Sequence, residues 1–221
     1  MPARETRASG TPPRYIAVEG PIGAGKTTLA KRLATTFGHE MILEHAADNP
    51  FLEDFYRHRA RNALATQLQF LFQRVRQLDT LRQTDLFTGG RVADFLIEKD
   101  RLFARLNLDP NEYTLYEMIF ARLVPSAPRP DLVIYLQAPV DVLHERIQRR
   151  GVAFEQLMER RYLEQLNESY SQFFHFYDDA PLLIVNAATI DFANDEKHYA
   201  ELVEYLLNVR PGRHYFNPTF F

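Results

Sequence analysis

Cysteine is absent from the 221 residues. That excludes disulfides, cysteine-ligated zinc, iron–sulfur clusters and thiol chemistry, and leaves no redox role to read. Also missing is any run of about 18 apolar residues, so no segment is expected to cross a membrane. The opening MPARETRASGTPPR lacks the apolar stretch of a secretory signal. Met1 to Pro13 is expected to be a disordered tail, although its arginines and scarcity of acids leave a transit-peptide reading open. A basic field is lacking too: the formal net charge is -3 and the basic residues are scattered, which argues against nucleic acid as a partner. What remains is a chain with 46% hydrophobic residues, enough for one well-buried domain over residues 14–221, expected in the cytoplasm.

Short β-like runs recur at RYIAVE (Arg14 to Glu19), MIL (Met41 to Leu43), RVADFL (Arg91 to Leu96), DLVIYL (Asp131 to Leu136) and LLIVN (Leu182 to Asn186), with helical patterns between them. Apolar strands alternating with helices point to βαβ units and a doubly wound α/β fold, a five-stranded parallel sheet flanked by helices. From Arg61 to Leu86 the chain has no Gly or Pro and places Leu64, Leu68, Leu71, Val75 and Leu78 at spacings of three and four, the pattern of one long core-facing helix. PSAPRPD, Pro125 to Asp131, reads as a turn before a strand. The aromatic end, PGRHYFNPTFF, should dock on its own domain or exchange rings with a second subunit.

One motif carries chemistry on its own. GPIGAGKT, Gly20 to Thr27, satisfies G-x-x-x-x-G-K-[ST] between a strand and a helix. Its glycines let backbone N–H groups turn toward phosphates, and the helix that follows adds its positive end. Gly20, Gly23, Ala24, Gly25, Lys26, Thr27 and Thr28 form the expected nucleotide-binding set. Lys26 should bridge the outer phosphates, and the Thr27 hydroxyl suits Mg²⁺. ATP with Mg²⁺ is the implied donor. In ILEHAADNPFLEDFY, Glu44 follows the second strand at its carboxyl end, where doubly wound folds hold ligands; a solvated loop charge is the alternative. Asp94 closes the third strand, as a ligand for Mg²⁺ or as a helix cap. Gln67 and Arg74 lie seven residues apart on one face of the long helix, where they either read a base or belong to a polar helix surface. ERIQRRGVAFEQ sets Arg146, Arg149 and Arg150 at a helix end broken by Gly151, either a lid whose arginines reach phosphate or a solvated basic cluster.

Together, the phosphate loop, Glu44, NPFLEDFY, the helix bearing Gln67 and Arg74, ADFLIEKDRLFA and ERIQRRGVAFEQ resemble the deoxynucleoside kinase family, in particular bacterial members acting on purine deoxynucleosides. The match runs from about Tyr15 to Phe174. The resemblance implies a kinase transferring the γ-phosphate of ATP to the 5′-hydroxyl of a deoxynucleoside, in a homodimer. Glu44 would take the hydroxyl proton, Tyr56 and Glu155 would hold the 3′-hydroxyl, Gln67 and Arg74 would meet the base, and Arg146 and Arg150 would be lid arginines.

The chain departs from its relatives in two places. Val152 stands where many carry an arginine, and Phe95 follows Asp94 where they often have an arginine and a serine. Lys99 and Arg101 are the nearby cations that could substitute. A nucleoside monophosphate kinase would need extra cations for its charged acceptor. A catalytically silent structural member of the fold would not need Lys26, Thr27 and Glu44 intact.

Overall fold

The computed structural model describes residues 10–82, 89–124, 127–190, 192 and 195–217. Parts of four sequence expectations lie outside them: residues 1–9 of the tail, 83–86 of the long helix, 125–126 of the turn and 218–221 of the aromatic end.

Strand β1 (Tyr15–Glu19) has Ile16 and Val18 in one apolar cluster and Ala17 in another, the two-residue alternation of a strand covered on both faces. It leads through the phosphate loop into α1 (Lys26–Phe37), which starts after Gly25 at φ 96° and stops at Gly38 at φ 63°, two left-handed positions that favour glycine. Then come β2 (Glu40–Ile42), α2 (Leu52–Arg57) and α3 (Arg59–Arg82). The long helix begins two residues before the expected Arg61 and kinks at Asn62, whose φ of -127° is not helical and whose amide Nδ2 donates to Asp54. Strand β3 (Arg91–Ala93) ends just before Asp94 and is followed by α4 (Lys99–Asn107). Helix α5 (Pro110–Leu123) has Pro110 in its first turn and a capping box between Asp109 and Glu112, so its start is fixed locally. The rest is β4 (Leu132–Gln137), α6 (Val140–Arg150), α7 (Arg160–Phe176), β5 (Leu182–Asn186), α8 (Glu196–Leu207) and β6 (Arg213–Phe216).

All strand pairs are parallel, in the order β2-β3-β1-β4-β5-β6. The five-strand expectation is therefore corrected to six strands among the described residues. The added strand comes from the aromatic end: Arg213 to Phe216 pair with Leu182 to Val185, and Phe216 is buried with Leu183, Val185, Leu202 and Leu206. Four residues are too short to show an alternation against Gly and Pro, but burying Phe216 and pairing the β5 edge both favour the strand. Within the expected tail, residues 10–13 are described and make contacts with the domain: the Gly10 N–H donates to Leu207 O at 3.3 Å and Pro13 O contacts His39 Nε2 at 2.8 Å.

The layers converge on the carboxyl ends of the central strands. Leu29, Leu33, Leu143 and Leu202 from α1, α6 and α8 pack in one cluster with Ile134 and Leu136; Leu166, Tyr170 and Phe174 of α7 pack with Val133 and Tyr135; Leu71 and Tyr116 of α3 and α5 pack with Ala93 and Phe95. Phe216→Ala should lower stability by about 3 kcal/mol, read as a drop in denaturant midpoint at unchanged slope, since it leaves a cavity in this core. A loss within 0.5 kcal/mol would mean that β6 is not part of the cooperative unit.

Candidate active site

Gly23 has φ 86°, and a Cβ there would stand 2.7 Å from Leu143 O, so no larger residue fits where the phosphate loop crosses α6. The Lys26 ammonium folds back onto its own loop, donating to Gly20 O at 2.7 Å and Pro21 O at 3.1 Å. Burial and the neighbouring Lys99 lower its pKa, against the attraction of Glu19, Glu44 and Asp94. Thr27 Oγ1 donates to Asp94 Oδ2 at 2.6 Å, and Asp94 Oδ1 accepts the Glu44 N–H at 2.7 Å. A hydroxyl and a carboxylate from two elements thus meet beside the loop, hard oxygen donors of the kind Mg²⁺ takes alongside phosphate and water. Among the described residues no group of three or more His, Cys, Asp or Glu could hold a metal by itself.

Glu44 sits two residues past β2 and is clamped between cations. Arg74, on α3, donates to Glu44 Oε1 through Nε at 2.9 Å and through a second nitrogen at 2.5 Å; Lys99, at the start of α4, donates to Oε2 at 2.8 Å. Burial alone would raise the Glu44 pKa, but the guanidinium and the ammonium overcome it and hold the carboxyl well below the usual range. Arg74 also bonds Asp100, and the same two carboxylates hold its pKa up against burial. Of the two cations considered as substitutes, Lys99 reaches Glu44, while Arg101 pairs with Glu117 at 3.0 Å near the surface.

Asp100 is the site residue that sequence reasoning missed. Its side chain is fully buried and accepts from Tyr116 OH at 2.7 Å, Gln67 Nε2 at 2.7 Å and Arg74. The only sequence signal was an acid in the first turn of a helix, and such acids usually serve the dipole in solvent. Gln67 Nε2 donates to the Asp100 backbone oxygen as well, at 3.0 Å, so its amide is turned by Asp100.

The residues expected to form a lid divide. Phe154 lies parallel to the Tyr56 ring, with centroids 6.4 Å apart, and Arg150 donates to Glu155 Oε2 at 3.0 and 2.6 Å. Arg146 instead donates to Ala187 O at 2.8 Å, beyond the end of β5. Burial raises the Tyr56 pKa well above the ordinary value, with Tyr162 and Glu155 adding to it.

A cavity of about 80 Å³ is lined by Lys26, Glu44, Tyr56, Gln67, Arg74, Lys99 and Glu155, with Phe70, Phe103, Phe154 and Tyr170 supplying its aromatic walls. Ligand pockets usually run to about 300 Å³ or more, so this one is closed in the present state. A groove of about 520 Å³ at the ends of β4, β5 and β6 is larger but holds none of these residues.

A family model described as deoxynucleoside kinase matches residues 16–209. Deoxyguanosine kinase of Bacillus subtilis is 41% identical over 157 residues, 71% of this chain and 76% of that protein. Deoxyadenosine/deoxycytidine kinase of the same organism is 31% identical over 202 residues, 88% of this chain and 92% of the relative. Among solved structures, deoxyadenosine kinase from M. mycoides with bound dCTP superposes with a TM-score of 0.74 at 27% identity, covering 88% of this chain and 98% of that one.

Because the folded-state pKa of Glu44 is depressed, its contribution to stability is present above the unfolded value of about 4.3 and is lost as pH falls toward the folded value. Glu44→Gln should therefore melt below wild type at pH 7, and the gap should close as pH falls below about 4. A gap independent of pH would show that the charge of Glu44 is not what stabilises.

Proposed function

We propose, from the premise that the chain belongs to the deoxynucleoside kinase family and is a phosphotransferase, that it moves the γ-phosphoryl group of ATP onto the 5′-hydroxyl of a purine deoxynucleoside. The observation that carries this reading is a single cavity lined both by Lys26 of the phosphate loop with Glu44 and by Gln67, Arg74, Tyr56 and Glu155.

In this reading the 5′-hydroxyl docks on Glu44. As its oxygen bonds to the γ-phosphorus and the bond to the β–γ bridging oxygen breaks, the hydroxyl proton passes to the Glu44 carboxylate. Glu44 is a weak base between two cations, which suits a loose transition state in which the proton leaves late and orientation dominates. Lys26 exchanges the carbonyls of Gly20 and Pro21 for the outer phosphates. Thr27 and Asp94 would hold Mg²⁺, which when bound neutralises phosphate charge. Tyr56 and Glu155 face the 3′-hydroxyl, and Arg146 and Arg150 swing to the phosphates when the lid is occupied. The lid must open to admit a nucleoside and close to exclude water.

Gln67 reads the base with its free oxygen. Its Nε2 is spent on Asp100, and among the described residues its Oε1 accepts from no neighbour, so the base must present an N–H there, a donor that all four bases carry and that does not by itself select a purine. The purine preference rests on the 41% identity with a deoxyguanosine kinase. An acceptor already carrying phosphate is disfavoured, because Arg74 and Lys99 are both neutralised by carboxylates. The working form is a homodimer in the cytoplasm, with exposed Leu115 and Met118 of α5 as apolar surface that a second copy could cover.

Glu44→Gln should lower turnover by about 10²-fold or more with ATP binding nearly intact, measured by coupled ADP release and by ATP titration. Unchanged turnover would remove Glu44 as proton acceptor. On a panel of the four deoxynucleosides, wild type should favour a purine. Gln67→Leu should lose about 1 to 3 kcal/mol of kcat/KM for it without changing ATP affinity. A tenfold wild-type preference for thymidine or deoxycytidine would reject the purine assignment.

A further inference from the structure

Glu19, the last residue of β1, takes no part in the steps above, yet its carboxylate is completely buried. Such a group is costly unless both oxygens are met. Oε1 accepts the N–H of Gly20, at the start of the phosphate loop, at 2.8 Å and the Tyr170 hydroxyl at 3.0 Å. Oε2 accepts the N–H of Leu96, between β3 and α4, at 2.8 Å and lies 3.7 Å from Lys99 Nζ. Lys99 is the ammonium that donates to Glu44 at 2.8 Å, and it is 3% exposed.

The charge balance around Lys99 changes during the reaction. Before transfer, Glu44 compensates it together with Arg74. Once Glu44 holds the hydroxyl proton it is neutral, and a buried ammonium with no other counter-charge would withdraw or drive the proton back. Arg74 keeps Asp100 as its second carboxylate, and Glu19 stands in the same relation to Lys99. The contacts of Glu19 also span the two halves of the site, one oxygen on the phosphate loop and the other on the segment that delivers Lys99.

We propose that Glu19 is a positioning residue for the phosphoryl transfer: it retains Lys99 beside Glu44 while Glu44 takes the hydroxyl proton, and it keeps that cation in register with the phosphate loop. This rests on the function proposed above. Its test is a double-mutant cycle on the full chain, with Mg-ATP and the deoxynucleoside that wild type prefers. Glu19→Gln keeps the shape and an acceptor for Gly20 and Tyr170, removes the charge, and turns an amide NH2 toward the Leu96 N–H and Lys99. It should lower kcat about tenfold or more and leave KM for both substrates within about threefold, while Glu19→Asp should recover part of the loss. With Lys99→Met already in place, Glu19→Gln should cost nothing further, because no cation is left to position. Multiplying losses in the double variant, or raised KM values with kcat intact, would overturn the proposal by showing Glu19 to be only a structural support. If Glu19→Gln gives no cooperative melt, Glu19→Asp alone and combined with Lys99→Met supplies the same comparison, and multiplying losses there overturn it equally. A wild type inactive on every deoxynucleoside would instead defeat the function reading; an active wild type with multiplying losses defeats the role of Glu19 alone.

Discussion

The contact on which the site depends is the pairing of Glu44 with Arg74, 2.5 Å apart with side chains 18% and 4% exposed. Neither charge could be buried alone. Removing one partner of such a pair typically costs about 3 to 5 kcal/mol, because the other is left uncompensated. The pair recruits further charges for the same reason: Asp100 completes Arg74, and Lys99 completes Glu44. These residues come from the end of β2, the middle of α3 and the first turn of α4, so satisfying the charges also fixes how those elements meet. The fold and the chemistry share one set of interactions.

That economy shapes the dynamics. A carboxylate held by two cations is already oriented before any acceptor arrives, and preorganisation of this kind is where a phosphoryl-transfer enzyme gains most. In the proposed function the complementary motion falls to the lid side. Phe154 against Tyr56 and Arg150 against Glu155 are contacts between side chains over a cavity of about 80 Å³, and neither contact involves Glu44, Arg74, Asp100 or Lys99. In that proposal, rigid acceptor geometry and a movable cover are carried by different elements.

Much of this was legible in the sequence, and the reasons differ by residue. The phosphate loop could be read because its motif is long and its glycines are enforced by backbone geometry, as Gly23 against Leu143 illustrates. Strands β1, β4 and β5 could be read because a doubly covered strand must be apolar throughout. Gln67 and Arg74 were legible as site candidates only through the resemblance, since spacing alone equally suited a polar helix face, whereas Glu44 stood out by its place at the carboxyl end of the second strand. Asp100 escaped because no local pattern distinguishes a buried acid in a first helical turn from a solvated one; only the convergence of α3, α4 and α5 buries it. Strand β6 escaped because its partner edge and the pocket for Phe216 are tertiary features.

The central claim is that Glu44 directs a 5′-hydroxyl at the γ-phosphorus held by the Lys26 loop. The most direct measurement is phosphorus NMR of the product formed from Mg-ATP and the preferred purine deoxynucleoside, alongside its 5′-deoxy analogue, which keeps the 3′-hydroxyl. The prediction is a phosphomonoester signal split by the two protons of the 5′-carbon, and no ester at all from the analogue. A signal split by a single proton, an ester formed on the analogue, or inorganic phosphate as the only product would contradict it.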